Sequence, residues 1–117
     1  MENRNFIRVH LPECASIKHD NQMFFANIKD ASLQGLFINT NQKLPLHTPL
    51  QITVYVSPSA SIYLTADVVR SEESGLGVKI KGMDVNSFVH LRNAITAQCK
   101  DHDLIMRETY KITDCIH

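Results

Sequence analysis

Between Leu50 and Lys81 apolar and polar residues alternate with a period of two, and this pattern limits the possible folds more than any other feature of the chain. Leu50, Ile52, Val54 and Val56 fall on one face of LQITVYVS, with Gln51, Thr53, Tyr55 and Ser57 on the other. After a turn at Pro58, Ser59 and Ala60 the period resumes at Ile62, Leu64, Ala66 and Val68. It resumes again at Leu76, Val78 and Ile80, opposite Gly77, Lys79 and Lys81, after the polar Glu72-Glu73-Ser74-Gly75 turn. Successive strand side chains point to opposite faces, so this stretch predicts three consecutive antiparallel strands, each with one buried face.

Upstream, the segments around Cys14 to Lys18, Met23 to Lys29 and Leu36 to Asn39 have strand composition. Turn-like His19-Asp20-Asn21 and Asp30-Ala31-Ser32 separate them. About six short strands with polar turns, and almost no helical pattern before residue 84, predict a closed or nearly closed antiparallel barrel, because closure removes exposed sheet edges. Asp84 then offers an N-cap, and Phe88, Leu91, Ile95 and Ile105 recur near helical spacing, with Arg92, Gln98 and Lys100 left to face water. One helix is predicted over roughly residues 86 to 108. The fold class is all-β with a C-terminal helix.

Composition narrows the partners. A chain of 117 residues suits one domain. Twelve Lys plus Arg balance twelve Asp plus Glu, which argues against the broad cationic face that a nucleic acid polymer or an anionic membrane requires. A bound anion should therefore be small. Neutral charge and few aromatics also disfavour a single-stranded nucleic-acid binder on a barrel. Cys14, Cys99 and Cys115 are odd in number and irregularly spaced, which fits a reducing compartment better than a disulfide framework. No apolar run approaches the roughly 20 residues that span a bilayer, and MENRNFIRVH lacks a hydrophobic leader, so a cytoplasmic protein without membrane insertion is expected.

Catalytic and metal signals are weak. Cys99, His102, Cys115 and His117 have ligand-like spacing within pairs, but the pairs lie close together and a helical Cys99 packs as a small hydrophobe, so no metal is expected. No nucleophile elbow, phosphate-binding loop or zinc-protease helix motif occurs, and adjacent helical positions would point Asp101, His102 and Asp103 apart. No enzyme and no cofactor are expected.

Two short patterns remain. Arg4 and Arg8 form R-N-F-I-R ahead of the first strand, and Asp30, Ser32 and Gly35 form D-x-S-x-x-G between two strands. Either alone reads as a solvated surface or an ordinary serine turn. Together, in this order, separated by a hairpin and followed by ADVVRSEESGLGVKI, they make the chain resemble the PilZ family. The resemblance covers roughly residues 3 to 97. It implies a six-stranded antiparallel PilZ-type β-barrel over 10–82 within a domain spanning 1–97, a mobile ligand-binding arm over 1–9, and a helix and tail over 84–117. It also implies that Arg4, Arg8, Asp30, Ser32, Gly35 and, near the ligand, Gly77 bind cyclic di-GMP.

The chemistry agrees with that implication. A guanidinium offers a fixed fork of donors for guanine O6 and N7 or for phosphate oxygens, a role suited to Arg4 and Arg8. Asp30 is the one carboxylate within the paired motifs and can accept from guanine N1 and N2. Ser32 can donate to phosphate or hold the turn, and Gly35 either takes a positive φ or admits a ligand close to the backbone. Gly77 reads equally as a bulge or barrel-corner glycine. Asn3 stands where many relatives carry a further arginine. One cation fewer favours a single ligand molecule, whereas Arg70 in its place would keep a stacked pair. Ordering about eight arm residues costs on the order of 10 kcal/mol, so the arm is expected to be loose until ligand orders it and thereby signals to an unidentified protein partner. The competing function is a constitutive protein-interaction adaptor on the same barrel.

Overall fold

The structure, a computed structural model, describes residues 6–117. Asn3 and Arg4 lie outside the described residues. Among the described residues seven strands form one antiparallel sheet: β1 (Val9–His10), β2 (Cys14–His19), β3 (Gln22–Ala31), β4 (Gly35–Asn39), β5 (Pro49–Ser57), β6 (Ala60–Glu72) and β7 (Gly75–Met83). The sheet order β3-β2-β5-β6-β7-β4 closes on itself through β3–β4 pairing, which makes the six-stranded barrel. The short β1 lies along β3 ahead of β2, with Val9 opposite Ala31 and His10 opposite Asp30. Pro12 sits in the gap between β1 and β2. A proline has no N–H to donate to the ladder, so the strand is interrupted there.

The alternation read from the sequence fills the interior. Ile52 and Val54 from β5, Ile62, Leu64 and Val68 from β6 and Leu76 from β7 are fully buried, with Ile17, Ile28 and Ile38 from the earlier strands. Pro58 and Ser59 alone link β5 to β6, and Asp20, at φ 51°, turns β2 into β3.

The C-terminal part departs from the expected single helix. It forms α1 (Val85–Thr96) and α2 (His102–Lys111), then a short 3-10 turn at Thr113–Cys115. Ser87, Phe88, Leu91 and Ile95 are the buried residues of α1, which packs on β6. Continuing that face would bring Gln98, Cys99 and His102 onto the barrel, and these offer little apolar surface. Asp101 instead starts a new helix by accepting from Leu104 N at 3.0 Å. α2 buries Ile105 and Glu108. The chain returns to the barrel at its end, where His117 N donates to Met83 O at 2.9 Å.

A second departure concerns the arm. Residues 6–9 are docked rather than loose: Phe6 and Val9 are buried in the core cluster, and Val9 and His10 are strand residues. The apolar side chains of Phe6 and Val9 repay ordering at the barrel rim, a gain that a charge-based reading of R-N-F-I-R overlooks.

Candidate functional site

The site forms on the outer face of β3, β4, β7 and β6, and two β-bulges build it. In β3 the inward residues Ile28 and Ala31 are three apart, because the register shifts between Ile28 and Asp30. Strict alternation would place Asp30 inside the barrel with Ile28. The bulge at Lys29 turns Asp30 outward instead. In β6 the register shifts between Val68 and Arg70, and the extra residue, Val69, releases Arg70 from the inward parity of Val68. Cross-strand register then aligns Asp30, Phe37, Gly77 and Arg70 in one row across four strands.

Arg8, immediately ahead of β1, reaches this row from alongside β3. Its Nη1 donates to Asp30 Oδ1 at 2.7 Å, in an ion pair whose two side chains are about a quarter exposed, at 25% and 29%. At the other end of the row the Arg70 guanidinium stacks over the Phe37 ring at 5.5 Å, with Lys29 Nζ over the same ring at 5.7 Å. Arg70 Nε lies 2.6 Å from Glu72 Oε2. Phe37 is thus a ring on the outside of the barrel, buried to 4% by strand neighbours and cations.

Ser32 and Gly35 shape the edge of this surface through the backbone. Ser32 Oγ accepts from Gln34 N and Gly35 N, both at 3.1 Å, and Ser32 N donates to Gly35 O at 2.9 Å. With its side chain so engaged at 3% exposure, Ser32 holds the turn between β3 and β4. Gly35 has no positive φ. A Cβ there would lie 2.4 Å from Val78 O, so the glycine permits close approach of β4 to β7, a role beside the positive φ or the approach to ligand that were the expected alternatives. Gly77 also has a negative or extended φ, and a Cβ on it would meet the Arg70 side chain at 3.3 Å. It is the floor on which Arg70 rests, opposite the β6 bulge.

Two adjoining cavities open here. One of about 260 Å³ is lined by Arg8, Leu36, Val69, Arg70, Gly77 and Val78. The other, about 290 Å³, is lined by Arg8, Ser32, Gln34, Gly35, Val69, Val78 and Lys79. Arg8, Asp30, Ser32, Gly35 and Gly77 therefore converge on one surface, and Arg4 falls outside the described residues. Gln34, Val69 and Lys79 were not picked out from the sequence. Both Lys79 and Val69 could have been, since alternation puts Lys79 outward with Gly77 and Val69 outward next to the inward Val68.

A larger hollow of about 510 Å³ lies elsewhere, lined by Lys18, His19, Asp20, Pro49, Lys81 and others, and contains none of the motif residues. Among the described residues, no three His, Cys, Asp or Glu side chains gather as a metal site. Cys115 Sγ points to Ile80 O at 3.9 Å, and Cys99 packs half-buried against the core. Among the described residues no helix is long and apolar enough to cross a membrane.

The fold has solved counterparts. It is similar to Bacillus subtilis MotI/DgrA, an inhibitor of motility, with a TM-score of 0.70, 12% identity, and 86% of this chain and 53% of that one covered. It is similar to Escherichia coli YcgR in complex with c-di-GMP, with a TM-score of 0.65, 15% identity, and 97% and 50% covered. The PilZ domain of YcgR with c-di-GMP matches at a TM-score of 0.66 and 16% identity, with 97% and 98% covered. The chain thus spans about half the length of the first two proteins and nearly all of the isolated domain. No curated protein sequence matches. The PilZ domain family model matches residues 2–97, which include both arginine and D-x-S-x-x-G motifs and all six barrel strands. With that match over most of its length and the closed barrel beneath it, the chain belongs to the PilZ domain family.

Proposed function

We propose that the protein is a receptor for cyclic di-GMP, a cytoplasmic bacterial signalling domain and not an enzyme, which conveys occupancy to a protein partner. The observation that carries this reading is the row of Asp30, Phe37, Gly77 and Arg70 with Arg8 paired to its first member. It offers two guanidinium forks and one planar carboxylate on a single surface, with Gly77 leaving room for the Arg70 side chain to lie flat against the sheet.

Each group matches part of a guanine nucleotide. Asp30 accepts from guanine N1 and N2, Arg8 meets guanine O6 and N7 or a phosphate, and Arg70 and Lys79 add positive charge for the second phosphate. The Arg8–Asp30 pair is partly solvated, so it stabilises the protein by only about 0–1 kcal/mol. A bidentate guanine contact contributes about 1–3 kcal/mol, so ligand outcompetes the internal pair. Structures of relatives in complex with c-di-GMP support the ligand's identity. Arg70 supplies the cation that Asn3 does not, which favours two ligand molecules per chain. A ligand-dependent change in the contacts of the N-terminal arm is what a partner would read.

Calorimetric titration of the chain beside Arg8→Ala and Asp30→Ala tests this. Wild type should saturate at about micromolar ligand. Each variant should lose about fivefold to 150-fold in affinity. No heat at tens of micromolar ligand would leave the constitutive adaptor as the reading.

A further inference from the structure

The family match ends at residue 97, yet the residues beyond it grip the arm on both sides of Arg8. Glu108, in α2, is 1% exposed, and its Oε2 accepts from Ile7 N at 2.8 Å. Gln98, just past α1, donates from Nε2 to His10 O. Lys111 Nζ, one turn after Glu108, covers the Phe6 ring at 5.7 Å. Residues 6, 7 and 10 are thus held by residues 98, 108 and 111, and Arg8 lies between them.

A carboxylate buried this deeply is costly unless its bonds are arranged for a purpose, and Glu108 Oε1 has no partner among the described residues. A leucine at this position would pack α2 at less cost. What the carboxylate supplies is a strong acceptor at one backbone N–H, next to the arginine that reaches Asp30. β1 is only two residues long and cannot fix Arg8 by sheet pairing alone.

We propose that the segment after residue 97 is a clamp for the arm, with Glu108 as a positioning residue that holds Arg8 over Asp30 and so sets the affinity of the site for its anionic ligand. The clamp rests on the cyclic di-GMP reading for its functional consequence, but its mechanical part stands apart from any ligand. Releasing Ile7 returns the arm to an ensemble in which Arg8 faces Asp30 only part of the time, and apparent affinity falls with that fraction.

Amide exchange in the full chain, without ligand, isolates the mechanical part. Glu108→Ala should speed exchange at Ile7, whose N–H the carboxylate holds, at least tenfold while core strands such as Ile52 stay protected. Glu108→Gln keeps a carbonyl acceptor and should stay within about twofold of wild type. Affinity for cyclic di-GMP should fall about tenfold in Glu108→Ala, the size of one lost hydrogen bond to a charged group, and recover in Glu108→Gln. Gln98→Ala, at an exposed position where misfolding is not at stake, should loosen His10 and lower affinity about threefold. Wild-type exchange at Ile7 in Glu108→Ala overturns the clamp outright. Faster exchange with unchanged affinity overturns its positioning role and leaves the receptor reading intact. A wild-type chain that binds nothing removes the receptor reading and the positioning role together, and exchange alone then decides the mechanical clamp.

Discussion

Gly35→Ala separates a fold requirement from a ligand requirement in the D-x-S-x-x-G motif. The added Cβ would lie 2.4 Å from Val78 O, a backbone atom that cannot rotate away. Relief requires β4 and β7 to part by close to 1 Å at the pair Gly35 and Lys79, next to the turn bonds of Ser32. Overpacking of this kind costs about 1–3 kcal/mol, and the rigidity of both partners puts this site near the upper end. Unfolding entropy of about 2.1 cal/mol/K per residue gives about 0.25 kcal/mol/K for 117 residues. A loss of about 2–3 kcal/mol therefore lowers Tm by about 8–12 °C. Thermal unfolding followed by far-ultraviolet circular dichroism reads this directly. A fall of less than about 3 °C would refute the argument that strand approach, and not ligand contact, demands glycine here.

Other outcomes follow from the same geometry. Ser32→Ala strips the acceptor from the buried Gly35 N and should cost about 1–3 kcal/mol in urea unfolding. Ser87→Ala removes the acceptor of Tyr63 N, a 2.8 Å bond that ties α1 to β6, and should cost about 1–2 kcal/mol by the same assay. Burial raises the Glu108 carboxyl above its ordinary 4.5, against the pull of Ile7 N–H and Lys111. The folded state therefore holds this proton more tightly than the unfolded one. That contribution is complete below pH 4.5 and is lost as pH rises through the folded value, so Glu108→Gln should gain stability relative to wild type across that window. Arg70→Ala should weaken cyclic di-GMP binding about fivefold to 150-fold and, if Arg70 replaces the cation missing at Asn3, reduce two ligand molecules per chain to one.

Much of the barrel was legible because alternation reports burial directly. The alternating apolar set from Leu50, Ile52 and Val54 through Val78 and Ile80 faced inward as its spacing required, and Asp84 began a helix. The site was legible only as a set of residue types. Parity places Asp30 with Ile28 and Arg70 with Val68 on the inside, and nothing in composition marks the bulges that turn both outward. Phe37, read as one strand residue among others, proved to be the ring under Arg70 and Lys29. The helix was drawn too long because Ile105 keeps the apparent period of Ile95 across a break that Asp101 imposes. The docking of Phe6 and Val9 depends on contacts about a hundred residues away in sequence, Ile7 to Glu108 among them, which no local pattern can report.

The central claim is that Arg8 and Asp30 together read a guanine edge. Calorimetry of the wild-type chain with cyclic di-GMP and, in parallel, cyclic di-AMP tests it most directly, because the two ligands share their phosphates and differ in the base. Adenine lacks the N1 and N2 donors that Asp30 accepts, so cyclic di-GMP should saturate near micromolar concentration and cyclic di-AMP should bind at least about tenfold more weakly. Equal affinity for the two, or saturation by neither, would contradict the account.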